Sequence, residues 1–104
     1  VYYKQGKYAE ALEGYRKALG IFEKVLGKAH PLTATSYNNI AWVYDKQGQY
    51  AEALEEFLKA YRVFVRKLGE AHPYTQSTRG NMETVYPETR NPKPFPEWLA
   101  EALR

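Results

Sequence analysis

The sequence of 104 residues contains no cysteine and no long apolar run. Without cysteine, the chain can form neither a disulfide bond nor a thiolate metal site. No apolar stretch approaches the roughly 20 residues that a membrane-spanning helix needs, and no basic and then apolar signal segment opens the chain. We therefore expect a soluble protein without a membrane partner, and we expect it in the cytoplasm.

Charge of one sign is not collected into a block. Lys and Arg number 15 and Asp and Glu 12, which gives a net charge of +3. Because the two signs are interspersed, the pattern argues against a dedicated phosphate-binding surface, and we expect no nucleic-acid partner. The sequence also lacks a Gly-rich phosphate loop and any recognisable set of nucleophile, base and orienting group. These absences predict a protein that is not an enzyme and that holds no cofactor.

What the sequence does contain is an internal repeat. The motif Tyr-Ala-Glu-Ala-Leu-Glu begins at Tyr8 and again at Tyr50, 42 positions later. Three further landmarks recur at the same offset: Leu26-Gly27 with Leu68-Gly69, His30-Pro31 with His72-Pro73, and Asn39 with Asn81. A fixed period of this length, built from two helical halves, is typical of an α-solenoid. The predicted fold is therefore all-α, a superhelix of antiparallel helix pairs.

Apolar residues at helical spacing predict three complete helices and the start of a fourth. The predicted ranges are 7–26, 31–46 and 49–68, followed by a helix that opens at Pro73 and reaches Tyr86. Gly14 and Gly20 fall inside the first helix, where each costs up to ~1 kcal/mol relative to Ala. A close approach by another helix is the one reason that we can offer for them.

Proline disturbs the pattern near the end of the chain. Pro87 removes a backbone donor and clashes with the preceding turn, so it should cut the third unit short. We predict a Pro-rich linker over 87–95 and a capping helix over 96–104 that covers the open end of the solenoid. The apolar stripe of that helix comprises Phe95, Trp98, Leu99, Ala102 and Leu103.

These residues resemble the tetratricopeptide repeat, in the longer form found in kinesin light chains and in many bacterial repeat proteins. The resemblance rests on Tyr37-Asn38-Asn39-Ile40-Ala41, Gln47-Gly48-Gln49-Tyr50-Ala51-Glu52-Ala53 and Lys67-Leu68-Gly69-Glu70-Ala71-His72-Pro73. It covers an array over 1–86, which divides into a partial repeat 1–29, a full repeat 30–71 and a partial repeat 72–86. The chain departs from the family at Glu83, which replaces a small residue, and at Thr84, which replaces the aromatic Trp42 of the previous repeat. The third repeat also lacks its second helix.

The resemblance implies a non-catalytic adaptor that binds an extended or short helical peptide in a concave groove. The groove would be lined by the face of each first helix opposite the packed stripe. By helical spacing that face holds Thr35, Asn38, Asn39, Trp42, Asp45, Lys46, Ser77, Asn81 and Thr84.

Asn39 and Asn81 are the sharpest candidates on this face. A side-chain amide supplies both a donor and an acceptor, so it can hold a peptide backbone whatever the peptide's side chains. The resemblance implies this role, and the alternative is a hydrogen bond to a neighbouring helix or loop. Trp42 is either a hot-spot aromatic in the groove or a packing residue between repeats.

Other interpretations stay open. We expect the first predicted helix to lack the partner of one face, which a second copy could supply in a homo-oligomer, by association or by helix exchange. That face comprises Leu12, Tyr15, Leu19 and Phe22. The array could also regulate a larger enzyme. Glu97-Trp98 with Glu101 is similar to the acidic tryptophan peptides that kinesin light chain grooves bind, so the tail could itself occupy a groove.

His30 and His72 invite a metal hypothesis that we reject. They occupy the same place before proline in successive repeats, and no third ligand recurs near them. Histidines in such turns are commonly structural, so we expect no metal site.

Overall fold

A computed structural model describes residues 5–104, with side chains from residue 7 onward. The described chain is helical and contains no strand, which confirms the all-α prediction. None of its helices combines the length and apolarity that crossing a bilayer requires. The first four residues of the predicted partial repeat 1–29 lie outside the described residues. The helices are α1 (Gln5–Val25), α2 (Pro31–Lys46), α3 (Tyr50–Leu68), α4 (Pro73–Val85), a 3-10 helix (Tyr86–Thr89) and α5 (Phe95–Ala102).

The same glycine turn ends both α1 and α3. Gly27 and Gly69 each have a φ of 89°, in the left-handed region that side chains with a Cβ rarely adopt. The N–H of Gly27 donates to the carbonyl oxygens of Phe22 and Glu23, at 3.1 Å each. These bonds satisfy carbonyl groups that the end of a helix would leave without partners.

The histidine that recurs after each glycine turn begins the next helix. The Nδ1 atoms of His30 and His72 accept hydrogen bonds of 3.0 Å from the backbone N–H groups of Leu32 and Tyr74, respectively. Each imidazole therefore acts as the N-cap of its helix and satisfies a donor in the first turn. The proline that follows stands where a missing N–H costs nothing. The recurrence of His-Pro thus has a structural cause.

Helix α3 lies at the centre of the packing. Its apolar face is buried against α2 on one side and against α4 and the 3-10 helix on the other. Ala53 and Ala60 are completely buried on this face, and their small side chains let the neighbouring helices approach closely. Because short turns join α2 and α4 to α3, both run antiparallel to it and therefore parallel to each other.

The close helix approach offered above as a reason for Gly14 and Gly20 is not found. A Cβ atom at either position would meet nothing within 4 Å, apart from the backbone of α1 itself. Both glycines are exposed to solvent. The offered reason does not hold, because the helices that pack on α1 lie on another face.

The chain turns back after α4 and packs α5 on the core. Pro87 lies in the first turn of the 3-10 helix, where its missing N–H is tolerated, and Arg90 then takes a left-handed conformation with φ 60°. Leu99 of α5 is buried in the same apolar cluster as Met82 of α4 and Phe57 of α3. α5 begins one residue before the predicted start and ends at Ala102.

Three aromatic residues pack together and hold this C-terminal segment against the rest of the chain. The ring centroid of Tyr86 lies 5.4 Å from that of Phe95 and 5.3 Å from that of Trp98. The hydroxyl of Tyr86 donates a 2.7 Å hydrogen bond to the carbonyl oxygen of Lys93. Trp98 thus packs on its own chain, on the aromatic residue that begins the 3-10 helix.

Candidate functional site

The nine residues predicted to line the groove lie on the sides of α2 and α4 that the core does not use. None of the nine is buried. The buried residues of α2 are Thr33, Ala34, Ser36, Tyr37, Ile40, Ala41 and Val43, and those of α4 are Thr75, Thr78, Met82 and Val85. We call the set of Thr35, Asn38, Asn39, Trp42, Asp45, Lys46, Ser77, Asn81 and Thr84 the polar face.

Two hydroxyl groups of the polar face are used within their own helices. Thr35 donates a 3.1 Å hydrogen bond to the carbonyl oxygen of Pro31, and Thr84 donates one of 3.0 Å to that of Gly80. Bonds of this kind, to the carbonyl four residues earlier, are common for threonine within helices. Both residues are exposed, but their hydroxyl protons are already engaged.

The amides of Asn39 and Asn81 have no such engagement. Neither side chain hydrogen-bonds another residue in the part of the chain that the structure describes, so the bond to a neighbouring helix or loop is not formed there. Asn39 is half-buried and Asn81 exposed. The two amides stand at equivalent positions of parallel helices, each with its donors and acceptor available.

Asn38 differs from its neighbour. Its Oδ1 atom is buried and accepts no hydrogen bond from any described residue. A buried acceptor without a partner costs about 1–3 kcal/mol. Gly80 occupies the equivalent position of α4, so this acceptor does not recur.

Trp42 and Lys46 form a pair on the surface of α2. They lie four residues apart, on one side of the helix, and the Lys46 Nζ atom stands 5.6 Å from the centroid of the indole ring. The indole is half-buried. The spacing of the two residues was visible in the sequence, but their contact was not predicted.

On the side of α2 opposite the polar face, Tyr37 contacts the two neighbouring helices. Its hydroxyl donates a 2.8 Å hydrogen bond to Glu23 Oε2 of α1, and Lys59 Nζ of α3 lies 5.7 Å from its ring centroid. Burial, with the hydrogen bond to Glu23 and the negative charges of Glu23 and Glu56, raises the pKa of Tyr37 to about 12. One side chain thus links α2 to both neighbouring helices.

The comparison with known families identifies the class of protein. The family model of the tetratricopeptide repeat matches residues 1–66, which is more than half of the chain. The chain therefore belongs to the tetratricopeptide repeat family. Repeats of this family generally mediate protein–protein interactions, and they are typically non-catalytic. A search of curated proteins found no match to the chain.

Proposed function

We propose that the chain binds an extended or short helical peptide of a partner protein on its polar face, as an adaptor of the kinesin light chain type. One observation carries the proposal: Asn39 and Asn81 present two side-chain amides without partners among the described residues, at equivalent positions of parallel helices. Amides in such an arrangement can pair with the N–H and C=O groups of a peptide backbone.

The other residues of the polar face indicate what kind of peptide it suits. The indole of Trp42 offers an apolar surface for a side chain of the peptide. Asp45 and Lys46 carry opposite charges, so the face has little net charge of its own. We therefore expect affinity to come from backbone pairing and from contact with the indole, with weak dependence on salt.

The first test removes both amides. A 12-residue peptide is selected from a phage-displayed library against the chain, and its affinity is measured by calorimetry. The double variant Asn39→Ala/Asn81→Ala should bind the peptide more weakly by about 1–3 kcal/mol, because groups of the peptide backbone lose their partners.

The matched control removes two amides elsewhere. Gln47 and Gln49 are both exposed in the turn after α2, and neither side chain hydrogen-bonds another described residue. Gln47→Ala/Gln49→Ala should leave the affinity unchanged. Equal affinity of the wild type and Asn39→Ala/Asn81→Ala would contradict the assignment of the site.

A second candidate function is self-association through α1. Leu12, Tyr15, Leu19 and Phe22 are each partly buried, and Leu19 packs on the core beside α2 and α3. Ile21 and Val25, by contrast, are 62% and 72% exposed on the same helix. Exposed apolar side chains that cluster on one helix favour burial against another protein surface, and we propose a second copy of the chain as that surface.

A further inference from the structure

A cleft on the outer side of α3 gathers four positive charges from two separate segments. Its walls are Lys28 and Ala29, from the turn between α1 and α2, and Arg62, Val63, Arg66 and Lys67, from the second half of α3. The cleft has a volume of about 190 Å³. No acidic side chain lines it, and no residue of the polar face does.

The four cations lack acidic partners among the residues that the structure describes. No ion pair involves Lys28, Arg62, Arg66 or Lys67 within the described residues 7–104. Arg62 donates one hydrogen bond to the carbonyl oxygen of Ala102 at the end of α5. A guanidinium group has five N–H donors, so that bond leaves most of them available.

Stabilisation of helix ends explains only part of this charge. Arg66 and Lys67 lie in the last turn of α3, where cations complement the negative end of the helix dipole. Arg62 lies more than one turn earlier, and Lys28 belongs to another segment. The acidic residues of α3, Glu52, Glu55 and Glu56, all precede its basic ones. The helix is thus strongly polarised, and its positive half faces the cleft.

We propose that this cleft is a second binding site, which takes an acidic segment of a partner protein. The carboxylates of that segment would pair with the cations of the rim, as charge complementarity requires. Ala29 and Val63 supply apolar surface between these charges, so the segment carries an apolar side chain among its acidic residues. The site is independent of the peptide site on the polar face, because it uses different helices and different chemistry.

The test uses a fluorescein-labelled octapeptide of glutamates around one central leucine, titrated with the chain and followed by anisotropy. Lys28→Gln/Arg66→Gln removes one exposed cation from each wall and should weaken binding by about fivefold to tenfold. Raised salt should weaken the binding of the wild type as well. Replacing the central leucine by serine should also lower the affinity, because the apolar contact is lost.

The matched control is Lys7→Gln/Lys17→Gln, which changes the net charge equally at two exposed positions of α1. It should bind the octapeptide as the wild type does, and so should Asn39→Ala/Asn81→Ala. The proposal is overturned if the wild type does not bind, if the control loses as much affinity as the cleft variant, or if the polar-face variant loses it instead.

Two other possible occupants of the cleft are tested in the same buffer. An oligothymidylate of matched length that binds more tightly than the octapeptide would indicate a nucleic-acid site and would overturn the proposal. Sedimentation that shows a dimer of the wild type, lost in Lys28→Gln/Arg66→Gln, would indicate a second copy in the cleft and would overturn it too.

Discussion

Tyr37 shows what a single residue contributes to this fold. It is 7% exposed, and its hydroxyl joins α2 to the carboxylate of Glu23 on α1. Arg79 stands at the equivalent position of the next repeat and lies over the ring of Phe95 instead, 5.9 Å from its centroid. Equivalent positions of two repeats therefore contact different neighbours: Tyr37 contacts the upstream helix α1, and Arg79 contacts the C-terminal segment.

The raised pKa of Tyr37 predicts a loss of stability in alkali. The ordinary pKa of tyrosine is about 10, and that of Tyr37 is about 12. Below about pH 10 both the folded and the unfolded chain hold the proton, so the contribution to stability is fully present. As the pH rises from about 10 to 12, the unfolded chain loses the proton while the folded chain keeps it, which lowers the free energy of unfolding by up to about 3 kcal/mol.

Urea unfolding of the wild type and Tyr37→Phe checks this prediction. At neutral pH the variant should be less stable by about 1 kcal/mol, because Glu23 loses its hydrogen-bond donor. Titration of lysines affects both proteins alike, so the difference between them isolates Tyr37. We expect that difference to shrink at about pH 11; a constant difference across the range would show that the hydroxyl does not titrate as described.

Helix α1 contains two glycines that lower the stability of the folded chain. Gly14 and Gly20 are interior helical residues with open space where a Cβ would stand. The variant Gly14→Ala/Gly20→Ala should raise the free energy of unfolding by about 1–2 kcal/mol, since alanine loses less backbone freedom on folding. Thermal unfolding followed by circular dichroism measures the gain.

Gly27→Ala is the contrasting control for α1. A Cβ there would also meet nothing within 4 Å, but the φ of this residue is 89°. The substitution should therefore destabilise the chain by about 1 kcal/mol through conformation alone. If all three alanines changed stability in the same direction, the account of α1 would be wrong.

The sequence predicted those elements best whose signals are local. The starts of α2 and α4 follow from Pro31 and Pro73, and the ends of α1 and α3 from the glycine turns, because a few neighbouring residues determine these conformations. The sequence could not assign Gly14 and Gly20, whose role depends on what packs nearby. Nor could it place Trp98 on Tyr86, because that contact depends on the path of the chain after Pro87.

At the scale of the molecule, the polar face followed from helical spacing, and the basic cleft did not. The sequence predicts which side of α2 is polar, since that depends only on the period of one helix. The interspersed charges argued against a phosphate-binding surface, yet folding brings Lys28 beside Arg62 and Arg66. The residues of this cluster lie far apart in the sequence, so the sequence alone does not predict that they come together. The one available signal for the cluster was the order of charges along α3, in which the acidic residues precede the basic ones.

Exposed apolar residues on α1 predict that the whole chain associates. If a second copy covers this surface, sedimentation equilibrium of the wild type should show a dimer, and Ile21→Ser/Val25→Ser should lower the association constant at least tenfold. Leu32→Ser is the control, because Leu32 is 51% exposed but lies on α2. If the wild type remains monomeric at the highest concentration measured, this candidate function is contradicted.

Binding of partners on the polar face of α2 and α4, as proposed above, can be tested residue by residue. The most direct measurement is a nuclear magnetic resonance titration of the isotope-labelled chain with the peptide selected from the library. We predict that the largest shift changes fall on the side-chain amides of Asn39 and Asn81 and on the indole N–H of Trp42. Changes confined to α1, or to the cleft beside Arg66, would contradict it.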